Sequence, residues 1–399
     1  MARPSRRSVV AGTVLGAVAA IAGPPLRRTV GTVLSARTER RLNGVADRGP
    51  YRIGPAARDL HERLTVVDLH ADSLLWGRDL LQRVNRGHVD VPRLLEGNVT
   101  IQVFAVPTKV PRHLNIERND DRTDDIGLVA LVQGWPRATW RSLLARAEYQ
   151  AGRFATMAAA SGGGFVVVRA AADLESLLAR RAAGEQVVGG MLAIEGAHAL
   201  DGDPANVDRL ADAGYRMIGL SHFFDNDIAG SAHGTSKGGL TAAGREVVGR
   251  LEARSILVDL AHASAATIDD VLAIATRPVV VSHTGVRGTA DNARNLADDQ
   301  LRAVAATGGI VGIGFWPTAC GGDDAASIAR AVAHAVGVVG PEHVGLGSDF
   351  DGAVPVPFDA SGMGLLTTAM MAEGFDEATI GAVMGGSAIR FLRETLPLT

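Results

Sequence analysis

The chain has 399 residues, a net charge of −3 and one cysteine, and 47% of its residues are hydrophobic. This length allows one large α/β barrel or two ordinary domains. The small net charge and the lack of a basic stripe argue against a nucleic-acid partner. With Cys320 alone, an internal disulfide framework and a cysteine-based structural zinc site are excluded, so any metal must bind to histidine and carboxylate side chains.

The N-terminus has the plan of an export signal. Arg3, Arg6 and Arg7 precede an uncharged run over residues 8–26, which is short and weakly hydrophobic for a membrane span. Small residues at Ala20-Ile21-Ala22 would form a cleavage site, and Ser5-Arg6-Arg7-Ser8 resembles a twin-arginine signal.

These features predict three regions. We expect a signal peptide or membrane anchor over residues 1–30, a linker rich in Arg, Gly and Pro over 31–57, and a folded domain over 58–399. The folded domain is then exported or membrane-anchored and lies outside the cytoplasm. A cytoplasmic protein with a disordered N-terminal tail is the alternative.

Eight apolar runs predict buried strands along the folded domain. They begin at Val66, Val99, Val188, Arg216, Ser255, Pro278, Gly309 and His343. Near-continuous apolar strands are typical of parallel sheets that are buried on both faces. We therefore predict an α/β fold, a (β/α)8 TIM barrel. An open doubly wound sheet is the alternative, but no Gly-rich phosphate loop follows the first strand.

Helices are predicted between these strands, and a short run at Phe165–Val168 is left over as a peripheral strand. The first helix is expected over Ser73–Val84. Later helices are predicted at Ala171–Ala183, Pro204–Ala213, Ala242–Arg254, Ala265–Thr276, Asp298–Ala306 and Ala325–Val339, with more between Asp124 and Ala160.

Titratable side chains gather at the C-terminal ends of the predicted strands. His70 and Asp72 end the first strand and share one face of it, because residues two apart in a strand point the same way. The residues at the ends of later strands are Glu195, His222, His262, His283 and Asp349. In a barrel these ends converge on one mouth, where active sites are built. We therefore expect these side chains to lie together.

Five of these side chains form a ligand set for two metal ions. His70 and Asp72 would bind one ion, His262 and His283 the other, and the two oxygens of Glu195 could bridge both. Paired divalent ions ~3.5–4 Å apart hold a bridging hydroxide of lowered pKa, which attacks an activated carbonyl or phosphoryl centre. Nitrogen and oxygen ligands without sulfur suit zinc, with manganese or cobalt as alternatives. Each histidine could instead be a hydrogen-bonded core residue.

The other histidines are expected outside this set. His343 begins its strand and so lies at the opposite end of the barrel. His198 is expected to support the site or the fold, and His233, in a Gly-rich loop, is left unassigned. The histidines predicted at the surface are His61, His88, His113 and His334.

The motifs at these strand ends resemble those of the membrane (renal-type) dipeptidases, peptidase family M19. In the family's order they are Val67–Asp72, Ile194–Gly196, Leu220–His222 with Asn226, Val258–His262, Val281–His283, Arg294–Leu296 and Gly347–Gly352. The match extends from about Leu64 to Phe391, and the motifs are specific jointly rather than singly.

The resemblance implies a barrel of the metal-dependent hydrolase type and a dipeptidase that uses two zinc ions and acts on small peptides with both termini free. It implies that His70 and Asp72 bind one zinc, that His262 and His283 bind the other, and that Glu195 bridges the two. It also implies a dipeptide as the substrate, and a homodimer is a further expectation.

Three more roles come from the resemblance. His222 would contact the substrate carbonyl and stabilise the tetrahedral intermediate. Arg294 would bind the C-terminal carboxylate of the dipeptide, which an Arg fork can do bidentately. Asp349 would be the acid/base residue. Spacing alone does not choose between Asp349 and Asp351, and the resemblance chooses Asp349.

The chain departs from the family pattern at Leu69, Ala71 and Phe223-Phe224, so the substrate side-chain preference stays open. Two alternatives stand beside the dipeptidase. One is a metal-dependent amidohydrolase that acts on a non-dipeptide amide, a lactam or a small natural product. The other is a non-catalytic binding module, against which the full ligand set argues.

Overall fold

The computed structural model describes residues 24–399. Most of the predicted signal segment, including the Ala20–Ala22 cleavage site and the twin-arginine motif at residues 5–8, lies outside the described residues. From residue 24 onward, no helix is both long enough and apolar enough to cross a membrane.

The (β/α)8 barrel predicted from the apolar runs is confirmed. Eight parallel strands form a closed ring, because the first and last of these eight also pair with each other, and a ninth, short strand lies outside the ring. In ring order they are β3 (Val99–Pro107), β2 (Val66–Ala71), β10 (Val344–Leu346), β9 (Ile310–Ile313), β8 (Val280–Thr284), β7 (Leu257–Asp259), β6 (Tyr215–Gly219) and β5 (Val188–Glu195). The leftover run forms the short strand β4 (Phe165–Val167), which pairs with the start of β5.

Helices lie between the strands and at both ends of the described chain. They are α1 (Pro24–Leu42), α2 (Pro55–Arg63), α3 (Val91–Glu96), α4 (Asp125–Val132), α5 (Leu143–Ala160), α6 (Ala171–Ala182), α7 (Asn206–Ala213), α8 (Ala242–Ala253), α9 (Ala265–Leu272), α10 (Asp298–Ala306), α11 (Pro317–Cys320), α12 (Ala325–Val339), α13 (Met363–Ala372), α14 (Glu377–Gly381) and α15 (Ser387–Thr395). Several begin at a side-chain cap: Asp124, Ser142, Thr241, Ser264 and Asp324 each accept a backbone N–H three residues ahead.

Seven of the barrel strands contribute to one buried apolar cluster with α6 and α15. It includes Val67 and Leu69 of β2, Ile101 and Val103 of β3, Met191 of β5, Met217 of β6, Leu257 of β7, Val280 of β8, Ile310 of β9 and Phe391 of α15. Burying each such side chain stabilises the fold by about 1.5–3 kcal/mol. This packing fixes the strands whose C-terminal ends carry the site.

Folded elements occupy the stretch predicted as a linker, residues 31–57. The helix α1 extends to Leu42 and packs against α4, and strand β1 (Val45–Asp47) pairs with β11 (Val356–Phe358). The sequence of this segment has no apolar periodicity that would predict these elements, because polar contacts help to hold the segment. Glu39 of α1 is fully buried and forms ion pairs with Arg78 and Arg86.

The helix predicted over Ser73–Val84 is wrong beyond its first turn. A single 3-10 turn covers Ser73–Trp76 and ends at Gly77, which has a φ of 69°. Glycine takes this left-handed conformation without the steric cost that other residues meet. The next residue, Arg78, turns inward to a buried ion pair with Asp351, and this distant partner overrides the local helical pattern.

A buried glycine on β5 offers a test of the barrel packing. A Cβ at Gly190 would come within 2.1 Å of Phe165 Cζ and 2.8 Å of Phe154 Cζ. We expect Gly190→Ala to lower the free energy of unfolding by about 1–3 kcal/mol, because an overpacked core must shift. Gly249→Ala in α8 is the control: it would meet nothing within 4 Å, and should raise stability by about 0.5–1 kcal/mol. Urea unfolding measures the free energy of unfolding of both variants. Equal unfolding midpoints for Gly190→Ala and the parent would contradict the close packing around Gly190.

Candidate metal centre

The carboxylate of Glu195 lies at the centre of the residues predicted from the strand ends. Its Oε1 is 3.1 Å from His262 Nε2 and 3.5 Å from both His70 Nε2 and His283 Nε2. Its Oε2 is 3.1 Å from His222 Nε2. Side chains from β2, β5, β8 and the loops after β6 and β7 therefore meet at one point.

Asp72 and Asp349 extend this group on the side of His70. His70 Nε2 is 3.8 Å from Asp72 Oδ1 and 3.9 Å from Asp349 Oδ1. Three triads have ligand atoms within 4.8 Å of one another: His70–Glu195–His283, Glu195–His222–His262 and His70–Asp72–Asp349. The structure thus brings together all seven strand-end residues. The predicted pair His70–Asp72 falls within one triad. His262 and His283 fall in different triads, but their Nε2 atoms lie 2.9 Å apart.

The buried charges of the site fit a divalent cation. Burial and the charge of Asp72 raise the pKa of Glu195 well above its ordinary value. Burial likewise raises the pKa of Asp349 to about 8, and the charge of Asp72 adds to the effect. Burial would lower the pKa of His70, but the carboxylates of Glu195, Asp72 and Asp349 outweigh it and raise the pKa to about 10. Bound protons offset the carboxylate charge here, and a metal ion would do the same.

The ligand atoms are also free to bind a metal. His70 Nε2 and Asp72 Oδ1 are buried without a hydrogen-bond partner, although an unpaired buried polar group is costly. Burial lowers the pKa of His222, His262 and His283 well below the ordinary value, so these imidazoles are neutral, which is the form that coordinates metals. The donor set and the neutral state of these three imidazoles therefore fit zinc or a similar ion.

Ser282 and Asp259 orient two of these imidazoles. Ser282 Oγ donates to Asp259 Oδ2 at 2.6 Å, and lies 3.0 Å from His283 Nδ1 and 3.3 Å from His70 Nδ1. Because its own proton goes to the carboxylate, the oxygen can accept from both Nδ1–H groups. Each Nε2 lone pair would then be left for a metal, because a hydrogen bond at Nδ1 fixes the tautomer and the ring orientation of a metal-binding histidine. We did not predict either residue, although Ser282 directly precedes His283.

Arg294 lies in the wall of the site. It is 7% exposed, its Nη2 donates to the carbonyl of His283 at 2.7 Å, and its guanidinium lies 5.9 Å from the Trp316 ring. Burial lowers its pKa to about 10, against the pull of Asp349 and Glu195. The side chain therefore keeps its charge at neutral pH and offers one cation beside the carboxylates.

The structure distinguishes Asp349 from Asp351 by their contacts, which their spacing in the sequence could not do. Asp351 is fully buried and accepts hydrogen bonds from Ser73 Oγ and His88 N, besides its ion pair with Arg78. Burial would raise its pKa, but Arg78 holds the pKa below the ordinary value. Asp351 is thus occupied by structural contacts, whereas Asp349 faces His70.

Two histidines predicted at the surface are buried, so that prediction is wrong for them. His61 lies between Thr367 Oγ1 and the carbonyl of Gly97, and His88 Nδ1 accepts from Asp351 N at 2.8 Å. Both are held by residues distant in sequence, which periodicity could not reveal.

The histidines left outside the ligand set have mixed positions. His343 lies before β10, as predicted, and bonds to the carbonyl of Gly309. His198 packs on Phe224 with ring centroids 4.9 Å apart. His233 lies 5.1 Å from the ring of His262 and bonds to the carbonyl of Ile116.

Sequence comparison gives a match to the membrane dipeptidase family, peptidase family M19, over residues 55–397. A dipeptidase of Aspergillus oryzae, aclJ, is 34% identical over 51% of this chain and 51% of its own length. A dipeptidase of Clonostachys rogersoniana, verJ, is 32% identical over 51% of this chain and 55% of its own length. The aligned part thus spans about half the length of these two relatives. An uncharacterised Klebsiella pneumoniae protein is 30% identical over 58% of this chain and 90% of its own length.

Solved structures share the fold. A metallopeptidase of Rhodobacter sphaeroides, bound to a phosphinate mimic of the dipeptide L-Ala-D-Ala, has a TM-score of 0.68 at 26% identity, covering 83% of this chain and 99% of its own. Dipeptidase AC, a metallopeptidase of family M19, has a TM-score of 0.67 at 27% identity, covering 84% of this chain and 99% of its own.

The support of the imidazoles by Ser282 can be tested by metal affinity. We expect Ser282→Ala to weaken zinc binding by about 10- to 100-fold, because the Nδ1 partners of His70 and His283 are lost. Competition with a chromophoric chelator measures the affinity. Ser387→Ala is the control, since Ser387 is a buried serine whose hydroxyl bonds only to the carbonyl of Pro341. Unchanged affinity in Ser282→Ala would contradict the role.

Proposed function

The chain belongs to the membrane dipeptidase family, peptidase family M19, and from this we propose that it is a binuclear zinc dipeptidase that hydrolyses dipeptides with both termini free. The observation that carries the proposal is the convergence of three histidine Nε2 atoms on Glu195 Oε1, at 3.1–3.5 Å. His70 and Asp72 would hold one ion, His262 and His283 the other, and Glu195 would bridge them. Two such ions would lower the pKa of a water toward neutrality and so supply the nucleophile.

His222 is assigned to the substrate carbonyl. Its Nε2 is 3.1 Å from Glu195 Oε2, and burial keeps the ring neutral. A neutral imidazole N–H beside the reacting carbon can donate to the oxygen that gains charge as the carbonyl is attacked. Fixed donors of this kind stabilise the transition state because they need no reorientation during the reaction.

Arg294 is assigned to the C-terminal carboxylate of the dipeptide. Its guanidinium is held by the carbonyl of His283 and by Trp316, so the fork is presented in a fixed orientation. A planar guanidinium binds a carboxylate bidentately. This anchor would place the peptide bond at a set distance from Glu195, which favours dipeptides over longer substrates.

Asp349 is assigned to proton transfer. Its Oδ1 is 3.9 Å from His70 Nε2, so the carboxylate faces the site. There it can take a proton from the attacking water and deliver it to the nitrogen of the leaving amine. General acid–base catalysis of this kind needs a carboxyl group within reach of both atoms.

Three expectations from the sequence stay predictions. They are export through the N-terminal segment, attachment to a membrane and assembly into a homodimer. Cell fractionation and the mass of the purified protein in solution would test them.

Metal removal tests the chemistry. Dialysis against a chelator should reduce dipeptide hydrolysis by at least about 100-fold, because Asp349 alone would face a water whose pKa no cation lowers, and zinc should restore it. The measurement is amine release from a panel of dipeptides of both stereochemistries at the C-terminal residue. Full activity of the metal-free protein, or no cleavage of any dipeptide by the zinc-loaded protein, would contradict the proposal.

Substitution of Arg294 tests the substrate assignment. We expect Arg294→Ala to lower kcat/KM for a dipeptide by about 30-fold or more, because a buried charge pair with the substrate is lost. Cleavage of the matching dipeptide amide, which lacks the carboxylate, should change little. Arg287→Ala, at an exposed arginine of the same loop, is the control. If Arg294→Ala keeps full activity, the alternative function, hydrolysis of another amide or a lactam, is favoured.

A further inference from the structure

The loop after β10, Ser348–Ala353, carries Asp349 in an unusual backbone conformation. Asp349, Asp351 and Ala353 have φ values of 60°, 64° and 62°. Residues with a Cβ rarely adopt this left-handed region because of steric crowding. Such a conformation persists only when its surroundings determine it strongly. The contacts of the loop therefore show what keeps Asp349 in place.

Asp351 is the main anchor of this loop. Its carboxylate contacts Arg78, accepts from Ser73 Oγ at 2.7 Å and accepts from His88 N at 2.7 Å. Its backbone N–H donates to His88 Nδ1 at 2.8 Å, and its carbonyl accepts from Trp76 Nε1 at 2.7 Å. Side chain and backbone are thus both fixed, two residues from Asp349.

The other side of Asp349 is fixed by Ser348. Its backbone N–H donates to Asp68 Oδ1 at 2.8 Å, and its hydroxyl donates to Asp68 Oδ2 at 2.6 Å. Asp349 therefore lies between two anchored neighbours, and its position depends on both.

The helix α1 completes the anchor of Asp351 from outside the barrel. Glu39 is fully buried, forms an ion pair with Arg78 and contacts Arg86 Nε at 2.7 Å. Asn43, directly after α1, accepts from the backbone N–H of Ala353 at 2.9 Å, and its Nδ2 lies 3.5 Å from Asp351 Oδ1. Both residues precede the region that matches the family, which begins at residue 55.

We propose that α1 is a working part of the active site, in which Glu39 and Asn43 are positioning residues for Asp349. Arg78 links Glu39 to Asp351 because it forms ion pairs with both carboxylates. Asn43 holds the far end of the loop directly, through the backbone N–H of Ala353. The proposal rests on the acid/base role of Asp349 proposed above. Loss of either contact frees the loop from its left-handed conformation and moves the carboxylate away from the substrate, while Glu195, His262 and His283, which lie outside this loop and its neighbour β2, stay in place.

A purely structural ion pair is the competing explanation. It would add stability without changing the reaction, and it would not require that Asn43 contact the loop backbone. The two explanations differ in what a substitution changes: kcat and loop mobility in one case, and only the free energy of unfolding in the other.

The test uses Glu39→Gln and Asn43→Ala in the full-length, zinc-loaded protein, with Glu96→Gln as the matched control. Glu96 also pairs with an arginine, Arg83, but at the exposed surface. The readouts are zinc content, kcat and KM for a dipeptide that the parent cleaves, and amide hydrogen exchange of the peptide that spans residues 348–353.

We expect both variants to keep their zinc and their KM within about two-fold, and to lose about 10- to 100-fold in kcat, as a misplacement of about 1 Å can cause. Exchange of the loop should be faster in both variants and unchanged in Glu96→Gln. Loop exchange equal to that of the parent in both variants, or a kcat equal to that of the parent in both, would overturn the proposal.

Two further outcomes are separable. If Glu39→Gln does not fold, Asn43→Ala decides the question, because it leaves the ion pairs of Glu39 intact. If the parent cleaves no dipeptide, the proposed function is contradicted, and hydrogen exchange still decides whether α1 holds the loop.

Discussion

The structure depends on the placement of three carboxylates, Asp72, Glu195 and Asp349, in one buried space around His70. Like charges this close are unfavourable in a low-dielectric interior. Around them lie the guanidinium of Arg294 and the imidazole of His70, whose pKa is raised to about 10, whereas the other three imidazoles are neutral. This is too little positive charge for three ionised carboxylates. Burial raises the pKa of Glu195 and of Asp349, and the charge of Asp72 adds to both shifts. The three carboxylates outweigh burial at His70 and raise its pKa. A site of this kind is built for a divalent cation.

The same supporting contact occurs twice beneath this site. Asp68 on β2 accepts the backbone N–H and the hydroxyl of Ser348, at 2.8 and 2.6 Å. Asp259 on β7 accepts the same two groups of Ser282, at 2.9 and 2.6 Å. Each serine directly precedes a site residue, Asp349 or His283. Each pair therefore ties the end of one strand to the end of its neighbour in the ring, since β2 adjoins β10 and β7 adjoins β8.

Much of the barrel could be predicted from the sequence because its signals are local. Each strand is a near-continuous apolar run, and the convergence of strand ends follows from barrel geometry, so His70, Glu195 and His283 could be placed together before any coordinates were known. Ser282 could not, because its role depends on an aspartate of the adjacent strand. The helix α1 was missed because Glu39 docks through charge, and the irregular path after Gly77 was missed because Arg78 binds a residue 273 positions away.

The aspartates of the two pairs, Asp68 and Asp259, lie on the strands, below the loops that shape the mouth. Loops at this end of a (β/α)8 barrel vary in length and sequence and give the fold its range of chemistries. Because Asp68 and Asp259 fix Ser348 and Ser282 from beneath, these loops can vary in sequence while Asp349 and His283 keep their anchored neighbours. Selection, or a designer, can therefore change which molecules this scaffold accepts while the hydrolytic machinery is inherited intact.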